Sequence, residues 1–337
     1  MDFSIIVPGD CDAKCGFCFW KQTEACDNYI TKVESIISEL PDGHLSLKLT
    51  GGEPTLSPYL KDLLQLIKKY KSKFKDVTLL TNGSNLYDVI DDLGDIVDHV
   101  SISIHHFNTF INERIMNRRY TTTNGLLMNR RYSTAGELLI RTNSKLNSLG
   151  IDVTFTAVLI DQFNDHGDIL EYIEFGKSHG ASSICFKKIK TTEMTLDPTT
   201  EENLFNNTKP IYIKSDTVSR VKIQLINGMK VIWKTSLLEP SNSFDWFIYE
   251  LILHPNGHLT RDWESKRDFD IIKSEMAHIS SSVLTRAEFN QVFRVSTCKQ
   301  CGDVLEVLDG TIKTNHVLKC NRCNIVYNRE FYPPVVY

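Results

Sequence analysis

The sequence predicts an α/β fold, with a mostly parallel sheet built from strand–helix units and further β structure after residue 190. Three observations predict it. Short apolar runs alternate six times with helical stretches between residues 3 and 189. Those runs end in turns dense with cysteine, glycine, asparagine and histidine, the end at which parallel α/β folds place ligands. The composition, 41% hydrophobic and 24% charged over 337 residues, suits a chain that buries one large core.

Phe3 to Val7 is a short apolar strand closed by Pro8-Gly9. Ile30 to Leu40 has helical spacing and stops at Pro41-Asp42-Gly43. The run His44 to Leu49 alternates, with Leu45, Leu47 and Leu49 on one side, and passes into Thr50-Gly51-Gly52-Glu53-Pro54. From Pro58 to Tyr70 a helix sets Leu60, Leu63, Leu64 and Ile67 in one stripe with lysines opposite. Val77 to Leu80 is the third strand and ends at Thr81-Asn82-Gly83-Ser84. Leu86 to Leu93 is helical, and Val100 to Ile104 is a strand ending at His105-His106. Val153 to Ile160, a helix from Ile169 to His179, and Ser183 to Ile189 complete six units.

Between strands four and five, Met116-Asn117-Arg118-Arg119-Tyr120-Thr121-Thr122 recurs as Met128-Asn129-Arg130-Arg131-Tyr132-Ser133-Thr134. Twelve residues is too short a period for a solenoid, so this is a local tandem duplication. Thr134 with Glu137 resembles a capping box for the following helix. Arg114, Arg118, Arg119, Arg130 and Arg131 make this the most basic stretch. It reads as a solvated helix face or as a grip for a phosphate-bearing substrate.

After residue 190 the pattern changes. Residues 191–210 are polar and turn-rich, a linker or lid. Asn227-Gly228 between two strand-like runs is a hairpin signal, and Pro255-Asn256-Gly257 joins a second pair. These strands extend the sheet or cover its ligand-binding end. Ile272 to Phe293 is largely helical. The expected division is 1–190, 191–293 and 294–337.

A net charge of −4 gives no global argument for nucleic-acid binding. No apolar run approaches the roughly 18 residues of a membrane span, and Met1-Asp2-Phe3 opens no secretory signal. Seven of the nine cysteines fall into one C-x3-C-x2-C run and two CxxC pairs. That clustering speaks for metal binding in a reducing compartment, hence a cytoplasmic protein without a membrane partner.

Cys11, Cys15 and Cys18 crowd three thiols into eight residues of loop behind the first strand. Such thiols hold iron–sulfur clusters. A 4Fe–4S cube takes four ligands, so three leave one iron open. Structural zinc closes its tetrahedron instead, and the nearest further thiol is Cys26, otherwise a small core residue.

The run Cys11-x3-Cys15-Gly16-Phe17-Cys18, together with Thr50-Gly51-Gly52-Glu53-Pro54, resembles the radical S-adenosylmethionine (SAM) superfamily. The resemblance implies an open (β/α)6 partial TIM barrel over residues 1–190. It implies a 4Fe–4S cluster on Cys11, Cys15 and Cys18 whose open iron binds SAM. One electron from the cluster then cleaves SAM, and the resulting 5′-deoxyadenosyl radical abstracts hydrogen from a substrate. Phe17 would pack over the cluster near the adenine, and Gly51 and Gly52 would let the main chain approach SAM. Glu53 would accept from the methionyl ammonium. Asn82 and Ser103 are candidates for the ribose and carboxylate of SAM, or else ordinary turn and strand residues. The resemblance also implies an electron donor such as flavodoxin or ferredoxin.

For the substrate, His105 and His106 stand where a proton donor or ligand would sit. Cys185 is a candidate hydrogen donor if it faces the lumen, and otherwise a core residue. Lys187 and Lys188 point to opposite sides of their strand, so at most one faces the cavity. Cys298, Cys301, Cys320 and Cys323 form two CxxC knuckles matching a four-cysteine zinc ribbon, the rival being a second iron–sulfur cluster. A nucleoside, nucleotide or nucleic-acid base is the favoured substrate, motivated by the arginine-rich loop and the ribbon, with a peptide second. The run Cys15 to Phe19 resembles both viperin-like nucleotide dehydratases and the enzyme A type of molybdenum-cofactor biosynthesis. Other readings are an activase of a partner radical enzyme and a non-catalytic metal-binding adaptor.

Overall fold

The computed structural model describes residues 2–18, 20, 24–40, 45–117, 135–160, 163, 166–188, 221–235, 250–260, 306–309, 317–320 and 325–328. The first half alternates as expected: Asp2–Val7 (β1), Tyr29–Glu39 (α1), Leu45–Gly51 (β2), Leu60–Lys69 (α2), Phe74–Thr81 (β3), Leu86–Leu93 (α3) and His99–Ser103 (β4). Thr109–Met116 (α4), Ala135–Ser148 (α5), Asp152–Leu159 (β5), His166–Ser178 (α6) and Ser183–Lys188 (β6) follow. Later come Val221–Ile226 (β7), Met229–Thr235 (β8), Glu250–Leu253 (β9) and Leu259–Thr260 (β10), then Glu306–Asp309 (β11), Val317–Cys320 (β12) and Ile325–Asn328 (β13).

Ten strands form one mixed sheet in the order β10-β9-β1-β2-β3-β4-β5-β6-β8-β7. From β1 to β6 every pair is parallel and consecutive in sequence. The later strands extend this sheet at both edges: β9 pairs parallel with β1, and β8 parallel with β6. The hairpins at Asn227-Gly228 and 255–257 both form, with Asn227 and Gly228 at positive φ as a tight primed turn requires. Strands β11, β12 and β13 make a separate antiparallel sheet.

Helix α2 buries Leu60, Leu63, Leu64 and Ile67, while Asp62 in its first turn and Lys68 and Lys69 in its last complement the helix dipole. Helix α4 is short and was not apparent in the hydrophobic pattern. Its start is fixed by Asn108, whose side-chain oxygen accepts from the Phe110 and Ile111 N–H groups at 3.0 and 3.3 Å. It ends at Asn117, which takes the left-handed conformation. Helix α5 starts right after Thr134. Residues 118–134, with most of the tandem repeat and four of its arginines, lie outside the described residues, as do 191–220 and the stretch 272–293.

Sheets that are parallel and covered on both faces read as continuous apolar runs. These strands alternate instead. Leu45, Leu47 and Leu49, Val77 and Leu79, Val100 and Ile102, Val153 and Phe155, and Ile184 and Phe186 are buried on the face under the helices. Each such leucine stabilises the fold by about 1.5–3 kcal/mol. The opposite face is polar. There Ser101 and Thr156 hydroxyls meet at 2.7 Å, as do those of Thr154 and Ser183. Lys48 pairs with Asp2 on this face.

Five strand spacings of about 4.8 Å would hold β2 and β8 about 24 Å apart in a flat sheet. Lys234 on β8 nonetheless feels the charges of Lys48 on β2 and Asp2 on β1. The sheet therefore curls around its polar face. That concavity is where a polar ligand finds both shelter and hydrogen-bond partners.

Candidate active site

The loop after β1, residues 8–20, carries Cys11, Cys15 and Cys18. It is fastened to the ends of three neighbouring strands and to α4. At β2, the Ser57 hydroxyl donates to the Pro8 carbonyl and the Glu53 N–H donates to the Asp10 carbonyl at 3.1 Å. At β3, the Asn82 side-chain amide lies 3.7 Å from the Cys11 sulfur and donates to Asp12 at 2.8 Å, and the Ser84 hydroxyl donates to Asp12 at 2.7 Å. At β4, the Phe17 ring stands edge-on to His105 with centroids 5.0 Å apart. At α4, the Lys14 N–H donates to the Met116 carbonyl at 2.8 Å, and the Cys15 sulfur is 4.0 Å from the same oxygen. The two motifs singled out in the sequence therefore abut, at the C-terminal end of the sheet.

Gly51 and Gly52 are required by close approach. Gly51 has φ +151°, and a Cβ there would stand 2.5 Å from the Val7 carbonyl oxygen. A Cβ on Gly52 would meet both the Asp10 carbonyl and the Trp20 ring at 3.0 Å. Backbone thus presses directly against the cysteine loop.

Glu53 is 1% exposed and its carboxylate accepts four hydrogen bonds from the protein. Oε1 accepts from the Thr55 N–H at 3.0 Å, the Thr55 hydroxyl at 2.6 Å and the Thr81 hydroxyl at 2.5 Å. Oε2 accepts from the Asn82 N–H at 2.5 Å. Burial pushes the carboxyl above its usual range despite these donors. In this geometry Glu53 is a brace between the ends of β2 and β3, and it positions Asn82.

Among the described residues, no three His, Cys, Asp or Glu side chains converge to hold one metal ion. Zinc ligands, each about 2.3 Å from the ion, would have to converge in that way. A cubane spreads its thiolates over separate irons and fits a wider set. Burial and the nearby Glu53 and Asp12 carboxylates push the Cys11 thiol up, while the Ala13 N–H points at its sulfur at 3.4 Å. A cluster bound to Cys11 would offset that cost by holding the sulfur as thiolate. Cys26 is placed differently: its N–H donates to Pro255 at the β9–β10 turn, and its sulfur lies beside Gly257.

The two histidines part company. His105 is buried on the side of Phe17, and its Nδ1 accepts the Val158 N–H at 3.2 Å, leaving the ring proton on Nε2. Burial, aided by the charge of Lys187, pushes it down to about 3, so it is neutral at physiological pH. His106 stacks on Phe163 and lines a cavity of about 140 Å³ with Asn82, Ile102, Thr142, Phe175 and His179. That cavity reaches in among α5 and α6, away from the polar face.

Ser103 ends β4 beside Thr156, its partner in the ladder. Cys185 shares the polar face with Thr156, is buried, and has its thiol pushed up by that burial. Lys187 lies on the same face as Cys185, and its direct ladder partner on β8 is Lys234. Asp12, Ser84, Trp20 and Lys234 were missed from sequence. Asn82 was read as a candidate for SAM and Ser84 only as part of a turn, although the Asn82 amide and the Ser84 hydroxyl are the groups that reach Asp12. Of the C-terminal cysteines, Cys320 closes β12, and Cys298, Cys301 and Cys323 lie outside the described residues.

Comparison with known proteins bears on this geometry. The family model described as the Radical SAM superfamily matches residues 5–175. By sequence, the GTP 3′,8-cyclase of Aquifex aeolicus is 27% identical over 182 residues, which is 51% of this chain and 51% of that protein. A probable GTP 3′,8-cyclase of Thermococcus kodakarensis is 32% identical over 118 residues, 33% of this chain and 37% of that protein. The chain thus spans about half of the length of one of these curated relatives and 37% of the other. Among solved structures, Streptococcus suis SuiB bound to S-adenosylmethionine superposes with a TM-score of 0.52 at 16% identity, covering 77% of this chain and 58% of that one. SuiB bound to the precursor peptide SuiA gives 0.54 at 16% identity, with 77% and 59% covered. That likeness is one of fold.

Proposed function

This chain belongs to the radical SAM superfamily of enzymes, and on that premise we propose that it abstracts hydrogen from a nucleotide at the polar face of an open (β/α)6 partial barrel. Cys11, Cys15 and Cys18 would hold a 4Fe–4S cluster, with Phe17, Gly51, Gly52, Glu53, Asn82 and Ser103 around SAM. When bound, the cluster supplies the electron that cleaves SAM to the 5′-deoxyadenosyl radical. The protein's own part is positioning. Glu53 braces Asn82, Asp12 holds Asn82 and Ser84 against the loop, and His105 supports Phe17 while presenting Nε2–H as a neutral donor. A flavodoxin or ferredoxin would deliver the electron.

The observation that carries a nucleotide over a peptide is the kind of likeness on each side. Similarity by sequence is to proteins named GTP 3′,8-cyclases, at 27% and 32% identity. Similarity to the peptide-bound SuiB is at 16% identity and is confined to fold. The hydroxyl-lined polar face suits a polyhydroxylated ligand.

The same reading divides the chain into 1–190, 191–293 and 294–337, the middle part lending β7–β10 to the two edges of the sheet. In the last part, Cys298, Cys301, Cys320 and Cys323 would bind zinc. Cys320 closes β12, where it pairs with Ile325 of β13, and the other three cysteines lie outside the described residues. The alternative, a peptide-modifying enzyme with a second cluster there, differs in metal content. Among the described residues no helix is long and apolar enough to cross a membrane.

Anaerobic reconstitution followed by metal analysis tests the metal assignment: about four irons and one zinc per chain are expected, against about eight irons and no zinc for the alternative. Deuterated nucleotides test the substrate, through deuterium appearing in 5′-deoxyadenosine. Transfer from a peptide and not from any nucleotide would overturn the reading.

A further inference from the structure

Lys187 and Lys234 are direct partners in the parallel ladder between β6 and β8, two like charges held side by side. Facing like charges destabilise a sheet. Neither ammonium has a hydrogen-bond or salt-bridge partner among the described residues, and both side chains are half-buried. Burial, with the charges of Lys48 and Lys187, pushes Lys234 down to about 8. Across the curled face, Lys48 is neutralised by Asp2, each side chain only 20% exposed. Among the described residues, three lysines therefore share a sheltered surface on which Asp2 acts on both Lys48 and Lys234. Folding alone gives no reason for this, because the neighbouring ladder positions are filled by hydroxyl, thiol and aliphatic side chains at no comparable cost.

Their place on the strands matters too. Lys187 and Lys234 each sit next to the last residue of their strand, at the end of the sheet that carries the cysteine loop. Lys187 is near enough to His105 to depress its protonation, and His105 meets Phe17. An anion held by the two lysines would thus lie beside the site assigned to SAM, on the opposite flank from Glu53 and Asn82. Two lysines on strands one spacing apart, about 4.8 Å, have side chains long enough for both ammonium groups to donate to one phosphoryl group.

We propose that Lys187 and Lys234, backed by Lys48, seat a phosphate of the substrate, which rests on the reading of that substrate as a nucleotide. The pair fixes the phosphate on the β6–β8 flank and lets the sugar and base extend along the hydroxyl-lined face toward Phe17 and His105.

The test is equilibrium binding to the anaerobically reconstituted full chain, with guanosine, guanosine triphosphate and inorganic tripolyphosphate as probes. The variants are Lys187→Met, Lys234→Met and the charge-retaining Lys234→Arg. The expected result is that each methionine variant weakens triphosphate and tripolyphosphate binding tenfold or more and leaves guanosine binding unchanged, with Lys234→Arg largely restoring it. Iron content and circular dichroism equal to the parent show that the variants are folded. Tripolyphosphate binding that depends on the lysines, with no added affinity from the nucleoside, upholds the phosphate seat and sinks the nucleotide reading. Triphosphate binding that is indifferent to both lysines upholds the nucleotide reading and overturns the seat. Absence of binding by either phosphate probe overturns the seat as well.

Discussion

The carboxylate of Glu53 accepts the backbone N–H of Asn82 at 2.5 Å, so the end of β2 fixes the position of the first residue beyond β3. Three further donors, from Thr55 and Thr81, converge on the same buried carboxylate. A carboxylate offers acceptors only, and four donors need four acceptor positions. Glu53→Gln turns one oxygen into an NH2 that must face a donor. The expected cost is about 1–3 kcal/mol of stability, with Asn82 displaced from Cys11 and Asp12. Urea unfolding together with SAM affinity checks this. Glu53→Gln should lose in both, whereas a role confined to contact with SAM would lower SAM affinity and leave the unfolding midpoint unmoved.

Gly51 gives a sharper steric prediction. Its φ of +151° and the 2.5 Å from a would-be Cβ to the Val7 oxygen leave no room for any side chain. The obstacle is backbone held in the β1–β2 ladder, so it cannot swing aside. Gly51→Ala should separate the ends of β1 and β2 and cost more than the about 0.5–1 kcal/mol usual for glycine–alanine exchanges. Thermal melts measure it directly. Gly16 is the control, since a Cβ there meets nothing within 4 Å.

The alternation of β2, β4 and β6 was visible in the sequence, and with it the helix-covered leucines and the six consecutive parallel strands. Parallel βα units joined by short connections leave little choice of order. What sequence could not supply was partnership at long range. Strand β9 joins β1 across some 250 residues, and nothing in Glu250–Leu253 names that partner. The register of β6 on β8, which brings Lys187 to Lys234, is equally silent, because it depends on where the Asn227-Gly228 hairpin docks. At the site, cysteine spacing pointed to the metal loop, but the loop's fastening by Asp12, Ser84 and Ser57 involves residue types common in any turn. His105 and His106 looked equivalent as neighbours. The strand's alternation sends one to the Phe17 side and the other into the helix layer.

Thiol reactivity follows from where the cysteines sit. Cys18 is exposed, whereas Cys185 is buried with its thiol pushed up. Thiolate fraction and access both govern reaction with disulfide reagents. In the metal-free chain, Cys18 should be labelled at least tenfold faster than Cys185. Peptide mapping after short exposure reads the order, and on reconstitution with iron the label at Cys11, Cys15 and Cys18 should fall while Cys185 stays slow. Early labelling of Cys185 would show that the polar face is open to bulky reagents at its β5–β6 flank.

His105 ties stability to pH in a defined direction. Its folded-state value is pushed down to about 3 by burial and by Lys187, against about 6.5 when unfolded. Around it stand Phe17, the Val158 N–H on Nδ1 and Asn112, whose side chain accepts the His105 N–H at 2.7 Å. None of these can take a proton from the ring. Between pH 6.5 and 3 the unfolded chain therefore binds a proton that the folded chain refuses, so the neutral ring's contribution is complete above 6.5 and is lost as pH falls. Each unit below 6.5 removes about 1.4 kcal/mol from this source. Urea midpoints at pH 7.5, 6.0 and 5.0 measure the slope. His105→Asn, which keeps an acceptor for Val158 and does not titrate, should flatten it by about that amount per unit, even if it starts from lower stability. Identical slopes in the two proteins would mean that the ring is protonated in place, and that His105 meets its neighbours as a cation.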